Sequence, residues 1–240
     1  MATVTFQHYA FFESYFSQYL DGNEFDLSEA RKIIETSSPL QGRKEDAEDL
    51  LHTYQLCSNK KEMATCPKSA QDFIQLLQKR HAFLLANRPN KNPGKFKESN
   101  NHSGISELVP WQLIEGTLIK GFDWYALLQD PFAKAIYLFF MLTQINPFAE
   151  GNGAIARIMM NAELVAKNLT KIMIPVVYAD AYQQSINKIS QHQDFQAFIQ
   201  SMLNIYTFSA TVLGDTKNEM ERYLRSSHAF YLPSQGKLRF

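Results

Sequence analysis

Apolar residues recur along this chain at intervals of three and four, a spacing that predicts helices over most of its length. Phe6, Tyr9, Ala10, Phe16 and Leu20 form the first stripe, ended by Asp21-Gly22-Asn23. Further helices are predicted at 29–36, with Ser28 as cap, at 44–56 and at 72–85. On the last of these Phe73, Leu76, Leu77, His81 and Leu84 share one face, so His81 reads as a core histidine. Residues 110–128 continue as helical packing around Gly116 and Gly121. Asp180 and Asp194 are placed to cap two more helices, and on the second Phe195, Phe198, Ile199, Met202, Leu203 and Tyr206 are expected to be buried. A helix over 215–229 has weaker periodicity, and the tail at 232–237 is expected to be loose.

The most marked helical pair flanks a turn. Asp130 is an N-cap before Pro131, a residue suited to the first helical position, and 131–145 is apolar. Pro147 disfavours helical geometry at Asn146 and ends that helix. A second helix follows, with Ile155, Ile158, Met159, Ala162 and Ala166 on its buried face. Between them stands Glu150-Gly151-Asn152-Gly153. Glycines beside an asparagine permit positive φ, and free amides at a helix start favour an anion. The stretch reads as a phosphate seat with a carboxylate at its lip.

Polar segments interrupt the helices twice. Thr36-Ser37-Ser38-Pro39-Leu40-Gln41-Gly42 breaks one. Residues 86–106, rich in Asn, Lys, Ser, Pro and Gly, predict an exposed loop or short hairpin, with Lys95-Phe96-Lys97 as its candidate strand.

Charge and composition narrow the function classes. Lys plus Arg and Asp plus Glu both total 24, so no net charge draws the chain to nucleic acid or an anionic membrane. Cys57 and Cys66 lack metal-ligand spacing and read as reduced thiols. The longest nearly apolar run, 135–142, is too short to span a bilayer, and no charged-then-apolar leader opens the chain. A cytoplasmic protein is the expectation.

Residues 146–157, Asn-Pro-Phe-Ala-Glu-Gly-Asn-Gly-Ala-Ile-Ala-Arg, resemble the signature of the Fic family, His-Pro-Phe-x-Asp/Glu-Gly-Asn-Gly-Arg-x-x-Arg. Pro147, Phe148, Glu150, Gly151, Asn152, Gly153 and Arg157 match; Asn146 stands in place of the histidine and Ala154 in place of the first arginine. The resemblance implies an all-α Fic fold, a helical bundle around the central helix–Gly-turn–helix with a small β-hairpin flap. On that basis 1–80 is an N-terminal helical region, 81–210 the core, and 211–240 a C-terminal helix and tail.

It also implies a reaction in which AMP passes from ATP, with Mg²⁺, to a Ser, Thr or Tyr hydroxyl of a target protein. Gly151, Asn152, Gly153 and Arg157 would bind nucleotide, with the Asn152 side chain facing phosphate, and Glu150 would hold the metal. Tyr182 resembles an adenine-side aromatic, with buried packing as the equal alternative. Lys95, Phe96 and Lys97 would hold the target by backbone pairing at the flap. Many members carry an inhibitory segment, Ser/Thr-x-x-x-Glu-Gly/Asn, whose glutamate pairs with the second arginine; 37–42 resembles it with Gln41 in the glutamate position. An ordinary interhelical loop is the other reading of that segment.

The substitutions point to impaired chemistry. A histidine takes the proton of the attacking hydroxyl, and the neutral amide of Asn146 has no proton-accepting state near pH 7. His102 in the flap is the one replacement with a family-based reason to approach. Two functions follow: an adenylyltransferase scaffold that keeps magnesium-nucleotide binding, or a non-catalytic module that holds a partner or peptide along the flap. The target, and whether the chain forms a homodimer, are not written in the sequence.

Overall fold

The computed structural model describes residues 3–38, 42–100, 109–192 and 194–240. Eleven α-helices occur among them: α1 (Thr3–Leu20), α2 (Leu27–Thr36), α3 (Lys44–Ser58), α4 (Lys60–Met63), α5 (Ala70–Leu84), α6 (Ile114–Leu127), α7 (Pro131–Ile145), α8 (Asn152–Ala166), α9 (Ala179–His192), α10 (Phe195–Thr211) and α11 (Lys217–Ser226). The described residues form no β-strand, and none of their helices is long and apolar enough to cross a membrane.

The caps explain the boundaries. Asp130 accepts from the Ala133 amide at 2.8 Å ahead of Pro131, and Asp194 from that of Ala197 at 3.0 Å. Ser69 caps α5, where Ala70 rather than Asp72 is the first residue. The second helix starts at Leu27, not after Ser28: the Glu29 carboxylate accepts from the Asp26 amide at 3.0 Å, a capping-box contact that sets the start two residues earlier.

The middle of the molecule is α8, packed most extensively on α7 and touched also by α1, α3, α4 and α5. Every residue from 154 to 165 is buried. A helix enclosed on all sides must satisfy its polar groups internally. Asn161 Nδ2 donates to Glu13 at 2.7 Å and to the Ile172 carbonyl at 2.9 Å, and Glu163 accepts from the Tyr125 hydroxyl at 2.8 Å. A second apolar cluster, with Phe11, Phe12, Phe16, Ile33, Leu50, Phe208 and Leu224, joins the outer face of α1 to α2, α3, α10 and α11.

Three expectations are corrected. Phe195, Ile199 and Leu203 are exposed, because α10 buries Phe198, Met202 and Ile205 instead, a narrower stripe than the sequence suggested. The tail at 232–237 is held in a turn, where Leu232 and Gln235 exchange hydrogen bonds of 2.8 and 2.9 Å, and beyond it Arg239 N–H donates to the Ser227 carbonyl at 3.0 Å and Phe240 meets the Phe208 ring. The third concerns the flap. Residues 95–98 are not a strand. Pro89 and Pro93 remove ladder donors, a 3₁₀ turn covers Pro89–Lys91, the Lys95 amide turns back to the Asn92 carbonyl at 3.0 Å, and two further amides bond to other elements. The Gly94 amide goes to His81 and that of Lys97 to the Pro147 carbonyl at 3.0 Å, so this part of the segment is a strap over the turn between α7 and α8.

Candidate functional site

Asn146 ends α7 in the left-handed conformation (φ 51°), and Gly151 begins α8 the same way (φ 71°). A side chain at 151 would be strained by that φ, and its Cβ would lie 3.3 Å from Leu85 and 3.4 Å from His81 Nε2. The loop between is fixed from inside. Asn152 Oδ1 accepts from the Phe148 amide and Asn152 Nδ2 donates to the Phe148 carbonyl, both at 2.9 Å. This corrects the expectation that the Asn152 side chain faces phosphate: its polar atoms shape the loop, and the backbone is what it leaves for a ligand.

His81 fixes the loop from outside. Its ring stacks on Phe148 with centroids 3.6 Å apart and planes 3° from parallel. Nδ1 accepts from the Gly94 amide at 2.9 Å, which leaves Nε2–H to donate to the Glu150 carbonyl at 3.0 Å. Burial pushes this imidazole down to about 4, against the opposing pull of the Glu150 carbonyl, so at neutral pH it is uncharged. The core reading of His81 holds, and both nitrogens are satisfied.

No side chain caps α8. Gly151, Asn152, Gly153 and Ala154 line a cleft of about 340 Å³, with Gln18, Asp21 and Asn23 from the end of α1, Asp49 and Thr53 from α3, and Leu84, Leu85 and Arg88 from the end of α5. Glu150 stands at its edge and is ion-paired to Lys91. Arg88 is tied to Asp49 through two hydrogen bonds of 3.1 and 2.6 Å.

Arg157 is buried and already answered. Its Nε donates to Ser17 Oγ at 2.9 Å, and its Nη2 to the Ser17 carbonyl at 3.2 Å and to Asp21 Oδ2 at 2.6 Å. Burial disfavours its charge, but Asp21 and Tyr182 outweigh that and raise its basicity. Gly153 is what lets the pair form beside the cleft, since a Cβ there would meet Asp21 Oδ1 at 2.8 Å and Arg157 Nη1 at 3.0 Å. Tyr182 is buried, with its ring 5.8 Å from that of Phe139 and its hydroxyl in the electrostatic reach of Arg157.

Sequence reasoning missed Asp21 and Ser17. The signal was present: Ser17-x-x-x-Asp21-Gly22 has the spacing of the inhibitory pattern, with aspartate for glutamate. Gln41 and His102 lie outside the described residues.

Comparison with known proteins gives this arrangement a family. Residues 70–164 match the Fic/DOC family. The fold superposes on a Fic domain containing signaling protein from Bacteroides thetaiotaomicron with a TM-score of 0.72 at 15% identity, covering 94% of this chain and 90% of that one. These findings support a Fic family protein. Fic-1 from Caenorhabditis elegans has the same fold, with a TM-score of 0.68 at 18% identity over 90% of this chain and 62% of its own. Curated Fic relatives include the protein adenylyltransferase fic-1 of Caenorhabditis briggsae, 21% identical over 75% of this chain, and the protein adenylyltransferase Fic of Drosophila willistoni, 24% identical over 77%. This chain spans 36% and 38% of the length of those two relatives.

Proposed function

We propose that this Fic domain is of the adenylyltransferase kind, binds magnesium-ATP at the start of α8, and transfers AMP poorly. One observation carries the reading: an uncapped helix start, with residues 151–154 lining a cleft. Amides in that position bind phosphate oxygens without help from side chains.

Among the described residues no group of three or more His, Cys, Asp and Glu could hold a metal by itself. A single carboxylate at the cleft edge still suits Mg²⁺, which takes one or two carboxylates and completes its shell with phosphate oxygens and water. Glu150 is that carboxylate once Lys91 releases it. ATP would supply the α-phosphoryl group and its leaving pyrophosphate. The residues of this chain bind and orient. Amides 152–154 would hold phosphate oxygens, Arg157 would join them when Asp21 lets go, and Asn146 can hold a hydroxyl but not deprotonate it. Losing general-base assistance costs roughly 10²–10⁴ in rate. Asp21, not a residue of the expected segment, fills the inhibitory role in this reading.

Calorimetric titration with ATP and Mg²⁺ tests it. Measurable binding is expected, with little AMP incorporation; joint restoration by Asn146→His and Ala154→Arg should raise self-labelling from ATP by about a hundredfold or more. No heat up to millimolar ATP would discard the reading and leave a partner-binding module.

A further inference from the structure

Isolated apolar residues on a surface are ordinary, but a contiguous row of them marks a contact. Such a row lies on α6. The helix buries Ile114, Leu118, Phe122 and Tyr125. On its outer side Leu113, Trp124 and Leu127 each leave more than half of their surface exposed. Leu113, Gly116, Lys120, Trp124 and Leu127 follow one another at intervals of three, four, four and three residues, so they share one stripe of the helix.

Gly116 is the odd member of that stripe. Glycine weakens a helix relative to alanine and needs a reason there. At Gly121 the reason is internal, because a Cβ would collide with Met141. At Gly116 nothing lies within 4 Å of where a Cβ would be, and φ is not positive. One copy of the fold makes no use of the missing side chain.

The intervals read the same in both directions, with Lys120 at their centre. A second copy turned end for end about Lys120 therefore matches in register: Trp124 faces Gly116, and Leu113 faces Leu127. The large ring enters the notch that the glycine leaves, which allows the helix axes to approach to roughly 8–10 Å. Charge agrees with this pairing. Lys120 Nζ donates to Asp123 Oδ2 at 3.0 Å within each copy, so two such pairs around the axis alternate in sign.

We propose that the outer face of α6 is a homodimer interface, an antiparallel α6–α6 pair in which Trp124 of each copy sits at Gly116 of the other. One helix face and its margins offer roughly 600 Å² per copy, the lower end for specific association, so the dimer is reversible and of micromolar strength. No residue of α6 lines the cleft at 151–154. The interface leaves that cleft open and stands whether or not nucleotide binds there.

Sedimentation equilibrium of the full chain is the test, from about 1 to about 100 µM, a range in which a dimer of this strength forms. Trp124→Glu and Gly116→Gln should each weaken association by about tenfold or more, the first by placing a charge in the interface and the second by filling the notch. Gly116→Gln should not lower the unfolding temperature, since glutamine is the better helix former and the space at 116 is open. Lys120→Cys lies on the axis and should link to its own copy on oxidation, whereas Glu115→Cys, off the stripe, should not. A chain that stays monomeric throughout would overturn the proposal and leave the face for a different protein. A dimer that survives both Trp124→Glu and Gly116→Gln, or in which Lys120→Cys does not link, would overturn it as well.

Discussion

The motif presents two charges, and a residue from outside it answers each. Arg157 on α8 meets Asp21 from the end of α1; Glu150 in the turn meets Lys91 from the strap. The pairs differ in depth. Side-chain exposure is 9% and 29% for Arg157 and Asp21, against 31% and 45% for Lys91 and Glu150. Arg157 is also held by Ser17, so its charge is fixed in a low-dielectric pocket where pairing counts most. The outer pair sits in screened water and is of the sort that contributes about 0.2–1 kcal/mol. An arriving magnesium-nucleotide would displace Lys91 at little cost but must compete with Asp21. Depth, more than charge, decides which half of the site is closed.

Removing the inner partner should have the largest effect. Asp21→Ala leaves Arg157 buried with Ser17 and Tyr182 alone, so the free protein should lose on the order of 1–3 kcal/mol of stability. Arg157 is then free to meet phosphate, and ATP affinity should rise by about tenfold or more. Chemical denaturation and calorimetry measure the two separately. A destabilised variant with unchanged ATP affinity would show that Arg157 serves the core alone, and the contrast between the pairs would carry no functional meaning.

His81 offers a change of middle size that acts on the outer half. Its imidazole is pushed down to about 4 in the fold, while an unfolded histidine titrates near 6.5. Between those values the unfolded chain binds the extra proton, so stability is full above about pH 6.5 and falls as pH drops toward 4. The complete loss is on the order of 3 kcal/mol, and His81→Gln should remove the part of the slope between pH 6.5 and 5 where carboxylates contribute little. Protonation also takes Nδ1 from the Gly94 amide, whose hydrogen exchange should quicken over the same window. Stability flat from pH 7 to 5 in the unaltered protein would contradict the buried neutral ring.

Much of this was readable beforehand, for reasons particular residues make plain. Asp130 before Pro131, Asn146 before Pro147 and Gly151 after Glu150 are local rules, and α7, the turn and α8 follow from them. Periodicity also marked the face of α5 that carries His81. What stayed hidden depends on contacts distant in sequence. Asp21 reads as a helix stop, and its partner Arg157 lies 136 residues away. Asn152 reads as a ligand contact in the motif, yet its amide serves the loop it belongs to. Lys95-Phe96-Lys97 has strand-like alternation and reads as a hairpin strand, whereas the Gly94 and Lys97 amides go to His81 and Pro147 in other elements.

The smallest predicted effect is the one that isolates the outer pair. Lys91→Ala removes a partly exposed ammonium from Glu150, with no packing consequence inside the core. Stability should change by less than about 1 kcal/mol, within the range of surface ion pairs. The consequence for binding has a definite sign. Glu150 then meets a metal without a competitor, so ATP affinity should rise by up to about fivefold with Mg²⁺ present, the factor that such a pair's energy allows. Without Mg²⁺ the order should reverse, because the carboxylate at the cleft edge has lost the cation that screened it from phosphate. Measuring the same variant with and without the metal therefore separates a metal-holding carboxylate from one that only terminates a turn. A Lys91→Ala protein whose ATP affinity shifts equally in both conditions would assign Glu150 to the turn and leave the metal without its proposed ligand.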